Sequence, residues 1–178
     1  MTTAVRLFRI DSIGKGYLAV MAQPAQNGDA EMSIRDMAMH DIHQVVSLLD
    51  SAESRALGLE HEAELVSGQS MHFVSCPIPD MGLPASVGDF ARLSVTLFQQ
   101  IESGVNTLIH CRGGIGRSGL LAAAVLLHGG RDVQQAFARV SLMRGEAVPE
   151  TEQQGDWLSL HQKIITGMDE QVVRSLNR

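Results

Sequence analysis

Aromatic residues are scarce: five Phe, one Tyr and one Trp in 178 positions. A core must therefore be built from Leu, Val, Ile, Ala and Met. Cysteine is scarcer still. Cys76 and Cys111 are the whole complement, which excludes a disulfide framework and points to a reducing compartment with room for a reactive thiol. No long apolar run exists. The longest, Leu120 to Leu127, is far short of the ~20 residues that cross a bilayer, and the segment Met1 to Ile10 has no apolar signal core. A cytoplasmic protein without a membrane span is the expectation. Positive charge is also short. The 14 Lys and Arg against 20 Asp and Glu give a net charge of −6, which argues against a sequence-independent nucleic-acid binder and against docking on anionic lipid.

What is present is an ordinary globular composition, 44% hydrophobic and 19% charged. A chain of this length suits one domain and buries roughly 70% of its unfolded surface. Residues 1–178 are read as that domain, with N-terminal strands and loops over 1–40 and a core over 41–166. Tyr17 to Met21, Gln44 to Leu49, Met71 to Cys76 and Val105 to Ile109 read as strands. Ser51 to Ser67 reads as a helix capped by Ser51 or Ser54. Further helices are predicted over Ser86 to Glu102, Ser118 to His128, Asp132 to Met143 and Thr151 to Thr166, with Gly104 and Gly129-Gly130 as stops. Three prolines and a glycine in Pro77 to Pro84 make that stretch a loop. Strand and helix alternate from Val45 onward. That order predicts an α/β fold with a mainly parallel central sheet and helices on both faces.

The informative segment runs from His110 to Gly119, between a predicted strand and a predicted helix. Three readings compete. Gly114-x-Gly116-x-x-Gly119 matches the dinucleotide pattern, but the second strand with its acidic end is missing, since Arg131 to Val140 looks helical. A nucleotide P-loop fails twice, because Arg117 stands where lysine is needed and Cys111 where the first glycine is needed. The third reading uses every unusual residue. The backbone of Arg112, Gly113, Gly114, Ile115 and Gly116 curls into a concave nest of amides that binds a tetrahedral anion. The amino end of the following helix adds positive potential, and the same field favours thiolate over thiol at Cys111. Arg117 offers a planar fork for two phosphate oxygens.

His110-Cys111-x5-Arg117-Ser118-Gly119 resembles the signature of the cysteine-dependent protein tyrosine phosphatase superfamily. The resemblance extends from about Val45 to Trp157. The short chain and the Pro77-Ile78-Pro79-Asp80 loop are most similar to the dual-specificity and cyclin-dependent-kinase-inhibitor-3-like phosphatases. It implies a phosphomonoester hydrolase acting on phosphotyrosine proteins, with phosphoserine and phosphothreonine proteins as further substrates, through a phosphocysteine. No metal or cofactor is implied.

Expelling an alkoxide or phenoxide requires a general acid. Asp80 is the candidate, in a loop at the carboxyl edge of the sheet where the family keeps its mobile acid; Asp89 is the fallback. Ser118 is expected to donate to the Cys111 sulfur while capping its helix. His110 is expected to brace the loop. By resemblance, Thr151-Glu-Gln-Gln154 makes Gln154 the residue that positions the hydrolytic water, with Gln153 second. His40 and His43 lack a third ligand and are read as structural. A disulfide between Cys76 and Cys111 after oxidation is a hypothesis the sequence does not decide, motivated by the thiolate expected at Cys111. The alternatives are a phosphoinositide or small-molecule phosphatase, a phosphoprotein-binding module without turnover, and a sulfur-transfer or arsenate-handling enzyme. Lipid-directed relatives carry extra loop lysines, whereas Arg112 is the only extra base here.

Overall fold

The alternation of apolar residues along three short strands accounts for the architecture. In β2 (Gly16–Met21), Leu18 and Val20 enter one core while Ala19 and Met21 enter another. In β3 (Gln44–Ser47) Val46 and Val45 divide in the same way, and in β5 (Thr107–His110) Ile109 and Leu108 do so. Successive side chains on a strand point to opposite faces, so a strand apolar at every position must be covered on both. The computed structural model describes residues 5–26 and 28–176, the last nine by backbone alone. Residues 1–4, 27 and 177–178 of the expected domain lie outside the described residues.

Five strands form one sheet in the order β1-β2-β5-β3-β4. β2, β5, β3 and β4 (His72–Ser75) are parallel to their neighbours, and only the edge strand β1 (Phe8–Ile13) is antiparallel. On one face lie α4 (Val87–Ser103), α5 (Gly116–Leu127), α6 (Val133–Arg144) and α7 (Glu152–Leu176). On the other lie α1 (Ala30–Met39) and α3 (Glu62–Gly68). This is the mainly parallel α/β arrangement the sequence predicts. The ring of Phe90 on α4 meets that of Trp157 on α7 edge-to-face at 5.1 Å, so two of the few aromatics join two helices.

All twelve residues of α5 are buried. Burying each large aliphatic side chain contributes roughly 1.5–3 kcal/mol. Leu120, Leu121, Val125, Leu126 and Leu127 therefore anchor the helix firmly and fix the position of its amino end.

The structure departs from expectation in several places. β1 and α1 are not legible as elements. A bulge between Arg9 and Asp11 spaces the buried residues Ile10 and Ile13 three apart instead of two, which hides the strand period. The stretch 51–67 is not one helix. α2 (Ser51–Ala56) stops because Gly58 takes φ +69°, and α3 starts afresh at Glu62. Nor does a serine cap α2. Asp50 does so, accepting from the Glu53 amide at 2.8 Å while the Glu53 carboxylate accepts from the Asp50 amide at 3.2 Å. α5 starts at Gly116, two residues before Ser118, and α7 continues past Thr166. His40 caps the end of α1, whereas His43 lies beyond it and accepts from the Asn106 amide at 3.0 Å.

Candidate active site

Parallel strands present their following loops at one edge of the sheet. β5 leads into Cys111 to Arg117, β3 leads through Asp50 into α2, and β4 leads into the loop carrying Asp80. These segments converge on Arg117. Its side chain is 2% exposed, a burial that a guanidinium tolerates only when paired. Nη1 donates to Glu53 Oε2 at 2.7 Å and to the Ile78 carbonyl at 2.9 Å; Nη2 donates to Glu53 Oε1 and to Asp80 Oδ1, each at 2.9 Å. The Arg117 hydrogen bond holds the Glu53 carboxyl below the usual carboxylate range, against the opposing effect of its own burial.

Cys111 is buried, with Sγ 3.3 Å from Ser118 Oγ. Ser118 lies inside α5 and does not cap it. Ile115 occupies the cap position with no side-chain cap bond, so the expected capping role is corrected. The first amides of α5 thus have no side-chain cap, and a helix amino end of that kind has donors free for an anion. Gly114 takes φ +68°, and a Cβ there would lie 2.4 Å from the Met21 carbonyl. Gly114→Ala is therefore expected to destabilise the fold by more than about 1 kcal/mol and to abolish phosphate binding; a thermal melt and a phosphate titration check both effects.

His110 is fully buried. Its Nε2 lies 2.6 Å from Glu62 Oε1, and its Nδ1 lies 3.3 Å from the Cys111 carbonyl oxygen. The ring is held at both nitrogens, which suits a brace. Gln154 is buried, whereas Gln153 is exposed. Gln154 Nε2 donates to the Gly82 carbonyl of the Asp80 loop at 3.4 Å, and Oε1 accepts from the Thr151 amide at 3.3 Å. It also borders the anion loop, since a Cβ on Gly116 would lie 3.2 Å from its Nε2. Asp80 is half exposed and accepts from the Met81 amide at 3.1 Å. Asp89 is not brought to the site. It sits exposed in the first turn of α4, where the Arg92 hydrogen bond lowers its pKa. Arg112 points to solvent.

Cys76 and Cys111 are both free in the reduced chain. β3 lies between β4 and β5, with Ser47 level with both Ser75 and His110. Cys76 and Cys111 therefore follow strands two places apart. The Cys76 thiol is pushed up by burial and by the charge of Asp89, which also makes it a poorer nucleophile.

Two carboxylates, the partly buried Glu53 and the buried Glu62, escaped the sequence reading. Glu53 had a signal, the Asp50-x-x-Glu53 capping pattern, although that pattern says nothing of Arg117. Glu62 had none, since an exposed helical glutamate looks the same in sequence.

A parallel sheet whose central strand delivers cysteine, five residues and arginine beneath an aspartate loop defines the protein tyrosine phosphatase class. Within it, the chain belongs to the family described as Swiss Army Knife protein, DSP-PTPase phosphatase domain, whose model matches residues 8–166. Cyclin-dependent kinase inhibitor 3 from Rattus norvegicus is 37% identical over 84 residues, 46% of this chain and 39% of that protein. The match thus spans well under half the length of that relative. Kinase associated phosphatase, solved with its catalytic-site cysteine replaced by serine, superposes with a TM-score of 0.83 at 19% identity, covering 94% of this chain and 98% of that one. Tk-PTP in its active form gives a TM-score of 0.69 at 26% identity, covering 90% and 96%. Among the described residues, no helix is long and apolar enough to cross a membrane.

Proposed function

We propose that this protein hydrolyses phosphotyrosine proteins, and phosphoserine and phosphothreonine proteins as further substrates, through a phosphocysteine on Cys111. The observation that carries the reading is the meeting of Cys111, Ser118, Arg117 and Asp80 around one amide-lined loop. The Cys111 thiolate attacks phosphorus in line, so an S–P bond forms as the P–O bond to the leaving group breaks. Asp80 gives its proton to the departing oxygen. In the second step Gln154 orients a water, Asp80 takes its proton, and Ser118 donates to the sulfur as the S–P bond breaks.

Arg117 has five N–H donors. Four already have partners: two on Glu53, one on Ile78 and one on Asp80. The Nε–H faces the anion loop in this reading. A phosphate entering there takes the Nη2–H now held by Asp80, completes a two-pronged grip, and frees the Asp80 carboxyl for the leaving oxygen. His110 and Glu62 keep the loop base rigid. The two free cysteines suit a reducing cytoplasm.

The test is turnover of p-nitrophenyl phosphate and of a phosphotyrosine peptide in excess EDTA. Asp80→Asn is expected to lower kcat by roughly 10²–10⁴-fold on the peptide, and by less on p-nitrophenyl phosphate, whose leaving group needs little protonation. A folded wild-type chain that turns over neither substrate overturns the reading.

A further inference from the structure

We propose that Arg144 is a positioning residue that locks the anion loop in its binding form, and that Phe8 of the N-terminal strand holds Arg144 in place. The proposal rests on the phosphate-cradle reading above. Arg144 is the last residue of α6, which Gly145 ends at φ +76°. Its guanidinium reaches the outer side of the loop: Nε donates to the Gly114 carbonyl at 2.9 Å and Nη2 to the Gly113 carbonyl at 3.1 Å. One planar fork thus takes two consecutive carbonyls, a geometry lysine cannot copy.

A trans peptide is planar, with C=O and N–H pointing in opposite directions. The Gly113 carbonyl shares its peptide with the Gly114 amide, and the Gly114 carbonyl shares its peptide with the Ile115 amide. Drawing both carbonyls outward to Arg144 therefore turns both amides inward, toward the concave side. The loop needs such a tie. Gly113 and Gly114 are adjacent glycines, and a Cβ on Gly113 would touch nothing. The peptide between them could rotate at little cost without an external bond.

Arg144 is itself held. Its Cζ lies 4.0 Å from the centroid of the Phe8 ring, while Arg6 lies at 5.0 Å from the same ring. Among the described residues no carboxylate lies within ion-pair distance of Arg144, and the two hydrogen bonds its guanidinium makes both go to the loop. β1 is fastened to α6 independently: Arg139 Nε donates to the Ile10 carbonyl at 2.9 Å, and Asp11 pairs with Arg131 at 2.5 Å and Arg139 at 3.3 Å. The N-terminal hairpin, which carries no catalytic motif, thereby acts on the loop from outside.

The test is tungstate binding by calorimetry to wild type, Arg144→Lys, Arg144→Met and Phe8→Leu, with kcat, KM and melting temperature measured in parallel. Arg144→Met is expected to bind tungstate roughly tenfold to a hundredfold more weakly, as for loss of two charge-assisted bonds. Arg144→Lys is expected to fall between it and wild type, and Phe8→Leu to weaken binding a few-fold. Weakened binding in a variant that still melts near the wild-type temperature, with partial rescue by lysine, supports positioning over a merely structural role. Wild-type affinity in Arg144→Met overturns the proposal; if that variant does not fold, wild-type affinity in both Arg144→Lys and Phe8→Leu does so. A wild-type chain that binds no tungstate overturns the phosphate-cradle reading itself, and this proposal with it.

Discussion

Cys111→Ser is expected to lower turnover of p-nitrophenyl phosphate by at least about 10⁴-fold, the scale seen when a nucleophile is removed, while phosphate binding persists. The reasoning separates chemistry from binding. Serine is close in size to cysteine, and Cys111 is 3% exposed beside Ser118, so the loop has no cause to rearrange. The amides and Arg117 that would hold the phosphoryl group remain. What disappears is a nucleophile that ionises readily: a serine hydroxyl needs a general base, and among the described residues none bonds the side chain at this position. Kinetics in excess EDTA together with a phosphate titration check both halves. Retained turnover sinks the proposed nucleophile; lost binding shows that the loop depends on the sulfur for its shape.

Glu53→Gln is expected to cost about 3 kcal/mol of stability at neutral pH, the low end for breaking a buried ion pair from one side, and to lower kcat/KM by misaiming Arg117. The Glu53 side chain is 11% exposed and Arg117 2%, so solvent screens the pair little. Arg117 holds the Glu53 carboxyl below its ordinary value. A group depressed in the folded state stabilises above its unfolded value of about 4.3 and loses that contribution as pH falls through the depressed folded value. The advantage of wild type over Glu53→Gln is therefore expected in full above about pH 5 and to shrink in acid. Denaturant melts of both proteins across that range check the sign. An advantage that grows in acid overturns the assignment.

Much of the site was open to reading because its chemistry lies in one continuous stretch. Cys111 to Ser118 spans a single strand-loop-helix, where local geometry follows from glycine content and helix dipoles. Asp80 was reachable because three prolines forbid regular structure around it, and parallel strands put their following loops on one edge. Glu53, Glu62 and Arg144 are different. Each reaches the loop from another element, and its role depends on how α2, α3 and α6 dock. Asp89 and Gln153 show the same limit in reverse: right residue types near the right segment, pointing to solvent. The placement of Cys76 was hidden for a similar reason: strand order is not strand sequence, and β3 lies between the strands that lead to the two cysteines.

Strand period, unbroken apolar runs and glycine spacing are local properties of a chain, so the parallel sheet, the buried α5 and the cysteine-to-arginine loop were legible before any docking was known. Which carboxylates hold Arg117 and His110, which arginine braces the loop, and the support it draws from the N-terminal hairpin all depend on how distant elements dock. Those pairings join residues 30 to 136 positions apart, and no local rule of conformation reaches across such distances: Asp80 to Arg117, 37 apart, and Glu53 to Arg117, 64 apart, are set by docking alone.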